Sequence, residues 1–428
     1  MNIMRYFFIF VVFYSGITFA DYEMRVPIGV KTVTEQSTDS DPAFTLQINT
    51  GLSGNQTAYL LPSGSVNIAI DWGSTAANET CPTVVTSESI VTCVYDEPGI
   101  YKVKITGTMT AYGSSLAPST VRHRDTTINY DTKNYAAITS WGNVGITSLS
   151  HAFRDSSNLT GLPATLPVGL NNVQYLLEGA DSFTGDISGW GLDRFSDWSY
   201  LFSSNNGPLP DITGLNTSNV TSLKGAFYRA ENFNQPIGGW DVSNVTDFSW
   251  LFNSASAFNQ PLNDWDMSSA VDLGSMFAYT EAFNQPLDKW NTANVEFMDG
   301  LFDSAIVFNQ PLNDWDVSKV KSFGSMFLGT GAFNQPINNW NTASAETYHW
   351  MFYGAAAFNQ SLANLNLSNL KPYGLEKFLF FNRDFNKSLA CWNVVNFPSE
   401  PKDFNAHGSF PAEKMPIWGT NGADGTCE

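Results

Sequence analysis

The sequence predicts an α/β repeat solenoid of 25-residue coils preceded by a small all-β sandwich domain. Three observations carry that expectation. A motif recurs every 25 residues through the second half of the chain. Each recurring unit divides into an extended half and a half with helical spacing. The part before it holds no such repeat and alternates apolar with polar residues.

The motif Phe-Asn-Gln-Pro begins at Phe233, Phe258, Phe283, Phe308 and Phe333, and again at Phe358 with Ser361 in place of Pro. Seven residues after the first five come Trp240, Trp265, Trp290, Trp315 and Trp340. A second register runs through Phe202, Phe227, Phe252, Phe277, Phe302, Phe327 and Phe352, with Phe153 and Leu177 as degenerate earlier members. Such a period marks stacked units, none of which buries its apolar face alone. The array is expected over 138–397.

In Asn244 to Ala255 the apolar residues Val245, Phe248, Leu251 and Phe252 fall on one helical face. Ser243 suits an N-cap and Asp247 the first helical turn. The Phe-Asn-Gln-Pro-Leu half reads as a short strand, because a Pro at a fixed place excludes a helix interior. One strand and one helical turn per unit suit a leucine-rich-repeat-like solenoid. Strands stacked at about 4.8 Å would align Phe and Trp into columns and Asn and Gln into amide ladders. A finer alternation follows the Trp: Asp266, Asn291, Asp316, Asn341, with Lys289 between Asp264 and Asp314. In-register carboxylates repel, so the amides and Lys289 are expected to relieve that repulsion.

Residues 21–135 read as the β-sandwich domain. Val66 to Ile70 and Tyr101 to Ile105 alternate, and Glu97-Pro98-Gly99 marks a turn. Before them, Arg5, the apolar run Tyr6 to Tyr14 and the small-residue site at Thr18-Phe19-Ala20 predict a signal peptide over 1–20. No Cys follows that run to take a lipid, and no second apolar stretch reaches spanning length. The chain is therefore expected to be secreted or on the cell surface, with no membrane span after cleavage; a periplasmic residence stays open. Four cysteines in an exported chain suggest two disulfides, with the sequence-local pairs Cys81–Cys93 and Cys391–Cys427 expected; free thiols or a metal site are the alternatives. The second pair would pin residues 398–428 as a C-terminal cap over the last coil.

The 428 residues carry 40 acidic against 21 basic side chains, a formal charge of −19. That balance argues against a nucleic-acid partner, which needs clustered Lys and Arg. The paired acids Asp264/Asp266 and Asp314/Asp316 could suggest glycosidase chemistry. They recur with the repeat, which marks scaffold, and no nucleophile, P-loop or zinc-hydrolase motif accompanies them. No enzyme, catalytic residue or cofactor is expected. Acid abundance leaves structural calcium open, although the spacing of known calcium loops is absent.

The residues at 308–320 followed by Met326-Phe327 resemble the BspA-like leucine-rich-repeat surface proteins of bacteria. Ile70-Asp71-Trp72-Gly73 and Tyr95 to Val103 are similar to a PKD-like domain, departing from it at Ser74-Thr75. The resemblance implies a secreted or surface protein, adhesion or host-protein binding for some members, and no catalytic residue. Trp250 and Trp350 replace the small residues Ser275, Gly300 and Ser325 and are candidate anchors for an extracellular protein or glycan. Asp264, Lys289 and Asp314, at positions that vary between units, are further candidate contacts. A carbohydrate-binding protein, with the regular Trp column in solvent, and a structural spacer are the alternatives. A monomer is expected.

Overall fold

Alternation of apolar and polar residues produces the strands of the first part. They are β1 (Phe44–Asn49), β2 (Thr57–Leu60), β3 (Pro62–Asp71), β4 (Val84–Val85), β5 (Val91–Val94), β6 (Ile100–Tyr112) and β7 (Tyr135–Trp141). Val66, Ile68 and Ile70 of β3 point into the core, and Asn67 and Ala69 between them are exposed, as a period of two requires. The strands form two antiparallel sheets, β4-β3-β6-β1-β7 and β2-β5. The Cys81–Cys93 disulfide (Cα–Cα 4.7 Å) ties the segment before β4 to β5. Beside it, the Trp72 indole donates to Pro82 O at 2.8 Å and the Tyr95 hydroxyl to Trp72 O at 2.9 Å.

The computed structural model describes residues 41–51, 56–73, 81–113, 132–405, 410–422 and 427. The chain divides into two units, Met1–Thr38 and Asp39–Glu428, and the described residues all lie in the second. The expected signal peptide over 1–20 and the Ser74-Thr75 departure lie outside the described residues.

Within the second unit the sheet runs on into the repeats. Ala137 of β7 bridges Gly161 in parallel, and Ala111 of β6 bridges Ser148. From there single parallel bridges climb the chain: Ser148↔Asn172, then Asp197↔Ser222, Ser222↔Asp247, Asp247↔Asp272, Asp272↔Phe297, Phe297↔Ser322 and Ser322↔Thr347. The repeats are therefore turns of chain stacked one on the next.

The expected α/β solenoid with a helical half is not what the chain forms. Among the described residues the only helices are three short 3-10 turns, at Ser188–Trp190, Leu192–Arg194 and Ala412–Lys414. The reason lies in the hydrogen bonds of the supposed helical half. In an α-helix every interior N–H turns inward to residue i−4. Here Phe248, Trp250, Phe252 and Ser254 donate to the next coil, at Asp272, Gly274, Met276 and Ala278. Leu251, Asn253 and Ala255, between them, close turns onto Phe248, Trp250 and Phe252. A run of β-turns buries Val245, Phe248, Leu251, Phe252 and Ala255 as a helix face would. Side-chain spacing alone does not separate the two.

The core is a set of ring columns. Phe252 stacks on Phe258 of its own coil at 3.9 Å and on Phe277 of the next at 5.7 Å. The same pairs recur at Phe277–Phe283 (4.1 Å) and Phe302–Phe308 (3.9 Å). Each fully buried Phe contributes about 1.5–3 kcal/mol of transfer free energy. At the far end, Leu379 N–H donates to Phe404 O and Val394 N–H to Thr420 O, so the tail forms a last layer. The Cys391–Cys427 disulfide (Cα–Cα 5.3 Å) holds its end.

Candidate interaction face

The turn-rich arc has a backbone requirement. Two registers four residues apart sit in the left-handed region. The first holds His151, Tyr175, Tyr200, Gly225, Trp250, Ser275, Gly300, Ser325 and Trp350, with φ between 54° and 63°, and the second runs through Asp155, Gly179, Ser204, Arg229, Ser254, Tyr279, Ser304, Gly329 and Gly354. Each starts a turn that lets the chain double back between bonds to its neighbours. Gly adopts this conformation freely, whereas an L-residue loses about 1–2 kcal/mol there. Bulky residues are therefore unusual at such positions. Strain of this kind persists where a side chain has a use that offsets it.

Five positions of the first register carry rings, and four of the rings, with Tyr228, form a row. His151 stacks on Tyr175 at 4.2 Å and Tyr175 on Tyr200 at 4.6 Å. Tyr200 meets Tyr228 edge-on at 6.1 Å, and Tyr228 meets Trp250 at 5.8 Å. The row crosses Gly225 because the Tyr200 ring lies over that backbone: a Cβ there would come within 2.3 Å of Tyr200 Cε1. The Tyr rings are half-buried and Trp250 is 41% exposed. Burial raises the Tyr175 and Tyr200 hydroxyls above their usual pKa, with nearby carboxylates adding to it, so both stay protonated. Burial lowers that of His151, which leaves its imidazole neutral near pH 7. The row thus presents uncharged edges and hydroxyls.

Trp350 belongs to a second, separate group. It stacks on Tyr353 at 5.4 Å, Tyr353 stacks on Phe380 at 5.2 Å, and the Lys377 ammonium lies 4.6 Å from the Trp350 ring centre. Between the two groups this register holds Ser275, Gly300 and Ser325 and carries no ring. Trp250 and Trp350 therefore share a register but not a site, being four coils apart, or about 19 Å at strand spacing. Sequence reasoning missed His151, Tyr175, Tyr200 and Tyr228. The signal was available, since Tyr175 and Tyr200 lie in the 25-residue register of Trp250.

Asp264, Lys289 and Asp314 lie on the other arc, beside the Phe-Asn-Gln-Pro segments. Lys289 Nζ meets Asp264 at 2.7 Å with both side chains largely in water, at 64% and 82% exposure. An ion pair that exposed does not define a site. Asp314 is exposed. The regular column Trp240, Trp265, Trp290, Trp315 and Trp340 is buried, and Trp265 to Trp340 each donate through the indole to the preceding coil, at Ile237, Leu262, Leu287 and Leu312 O. The expectation that this column offers sugar platforms in solvent is thereby overturned. Among the described residues no group of three or more His, Cys, Asp or Glu side chains is placed to hold a metal ion. None of their helices is long and apolar enough to cross a membrane.

A family model described as "Mycoplasma protein of unknown function, DUF285" matches residues 125–209, 196–305 and 285–392. Together the matches cover well over half of the 428 residues, and the chain belongs to this family. No curated protein and no solved structure matches it.

Proposed function

We propose that this member of the DUF285 family is an extracellular binding protein that engages a protein partner through the His151–Tyr175–Tyr200–Tyr228–Trp250 row. The carrying observation is the placement of bulky rings at left-handed positions where Gly225, Gly300, Ser275 and Ser325 stand in other coils. The fold does not need those rings there, so a use outside the fold is what offsets their strain. The rings stack on one another and offer edges and hydroxyls, a chemistry that suits protein interfaces, where Tyr and Trp supply large area at low entropy cost. Secretion or surface display is supported by the N-terminal residue pattern and by the two disulfides. The resemblance of 308–327 to BspA-like surface proteins points the same way.

The test compares the wild-type chain with the double variant Tyr200→Gly/Trp250→Gly on an array of purified extracellular-matrix and cell-surface proteins. Glycine suits both backbone positions, so the variant should remain folded. Wild-type binding that the variant loses is the expected result. Binding that survives in the variant, or no binding by the wild type, sinks the reading.

A further inference from the structure

Lys377 is held unlike the lysines before it in the array. Lys224, Lys289, Lys321 and Lys371 each meet a carboxylate of the neighbouring coil, at Asp247, Asp264, Glu296 and Glu346, and Lys319 meets the amide of Asn294. None of the ion pairs among the described residues includes Lys377, not even with Glu376 beside it in sequence. Its ammonium lies against aromatic rings instead, 4.6 Å from the ring centre of Trp350 and 5.7 Å from that of Phe380. An ammonium has three N–H donors, and those that point away from a ring remain open to an acceptor.

The rings around this cation form one group. Trp350, Tyr353 and Phe380 stack in turn, and Phe381 stands across the stack, at 77° to Tyr353 and 88° to Phe380, with ring centres 5.5 Å and 4.3 Å away. Phe381 is exposed, and Trp350, Tyr353 and Phe380 are half-buried. Trp350 N–H donates to Glu376 O and Gly354 N–H to Phe380 O, which sets Lys377 and Phe381 one coil beyond Trp350 and Gly354. Lys377 and Phe381 thus continue the two left-handed registers, at φ 52° and 60°. Where Ser275, Gly300 and Ser325, or Ser304, Gly329 and Gly354, stand in earlier coils, these last coils place Trp350, Lys377 and Phe381. Strain from three bulky residues is concentrated on one patch, as at a site with a use.

We infer that this group is a binding site for a sugar acid, a pyranose ring that carries one carboxylate. The carboxylate accepts a charge-assisted hydrogen bond from Lys377. The C–H face of a pyranose is apolar and weakly positive, and it packs on the negative face of an aromatic ring. Phe381, across the stack and in contact with water, offers such a surface beside the cation. The single charge follows from the chain as a whole. A formal charge of −19 repels a polyanion or an acidic protein, whereas one carboxylate on a neutral ring responds mainly to the cation next to it. A neutral sugar leaves Lys377 unused, and a bare carboxylate leaves the rings unused. The group stands four coils from Trp250 and is independent of the row proposed to bind protein.

Saturation-transfer NMR on the full chain tests it, with sodium D-glucuronate as the probe and D-glucose and sodium acetate as controls. Irradiation of the aromatic protons should pass saturation to the ring C–H protons of glucuronate, and far less to those of glucose. Trp350→Ser introduces the residue type that Ser275 and Ser325 show the register accepts, so the variant should fold, and it should cut the signal several-fold. Lys377→Met should weaken glucuronate binding by about tenfold, the equivalent of one charge-assisted hydrogen bond. Lys377→Arg keeps the charge and should bind as the wild type does, which separates loss of the cation from loss of the fold. The inference is overturned if glucuronate receives no saturation, if glucose receives as much, if acetate displaces glucuronate at equal concentration, or if Trp350→Ser or Lys377→Met binds as before.

Discussion

The two arcs of each coil are held together by different atoms. On the Phe-Asn-Gln-Pro arc the coil-to-coil hydrogen bonds come from side chains. Asn309 Oδ1 accepts from Asn334 N–H at 3.0 Å and from Gln335 Nε2 at 3.1 Å, and the same pattern joins Asn284 to Asn309 and Gln310. On the turn-rich arc most come from the backbone, through bridges that run from Ser148 to Asn172 and from Asp197 to Thr347. A bond made by a side chain fixes the residue. A bond made by the backbone leaves the residue free, within what the left-handed turns allow. The invariant arc is therefore scaffold by necessity, and the variable arc is where this chain has room to place rings.

The sharpest way to break that comparison is to remove one amide from the invariant arc. Asn309→Ala leaves the Asn334 N–H and one Gln335 donor without their acceptor on a half-buried surface. A loss of about 2 kcal/mol is expected in denaturant unfolding. The turn-rich arc should behave oppositely. Trp250→Gly removes an edge contact to Tyr228 but also removes left-handed strain of similar size. Unfolding free energy should stay within about 1 kcal/mol of wild type, while protein binding through the row is lost. A collapse in stability at Trp250 matching that at Asn309 would remove the distinction between the arcs.

The same distinction governs how much could be read from the sequence. Phe233 to Phe358 and the Asn and Gln beside them were legible as columns and ladders because side chains make the contacts. Both disulfides were legible from the sequence-local spacing of the four cysteines. The other arc was misread as helix because Val245, Phe248, Leu251 and Phe252 meet the helical spacing while their N–H groups are divided between turns and the next coil. The preference for Ser275, Gly300 and Ser325 opposite Trp250 was visible, but its cause, a positive φ, is a property of the backbone.

The turn-rich arc also holds its carboxylates differently. Asp272 accepts from Gly274 N–H at 2.7 Å, yet burial, with Asp247 and Asp299 nearby, holds its pKa above the usual 3.8. A carboxyl with a raised folded pKa contributes stability at pH below its unfolded value, and that contribution is lost as pH rises through the folded pKa. Asp272→Asn keeps an acceptor for Gly274 and removes the charge. It should raise the melting temperature near pH 7, and the gain should vanish below about pH 3.8. A variant that melts lower at pH 7 would show that the charge itself is used.

On the other arc the acids are held the opposite way, and the expected effects are the smallest. The Ser268 hydroxyl, then its N–H, lower the Asp266 pKa, against burial and the charge of Asp241 one coil back. Beyond Asp266, Asn291 interrupts the run of charge before Asp316, and Asn291 Oδ1 keeps the same turn by accepting from Ala293 N–H at 3.2 Å. Asn291→Asp would preserve that turn but insert a carboxylate between Asp266 and Asp316, extending the in-register run of charge unbroken from Asp241 to Asp316. Lys289→Asp would in addition remove the cation that meets Asp264 at 2.7 Å. The double variant should melt lower than wild type in low salt and approach it near 0.1 M, where the screening length is about 10 Å. Because these side chains lie in water the drop should be small and should follow ionic strength. A drop that ignores salt would assign Asn291 to the turn alone and leave the alternation of acid and amide without an electrostatic role.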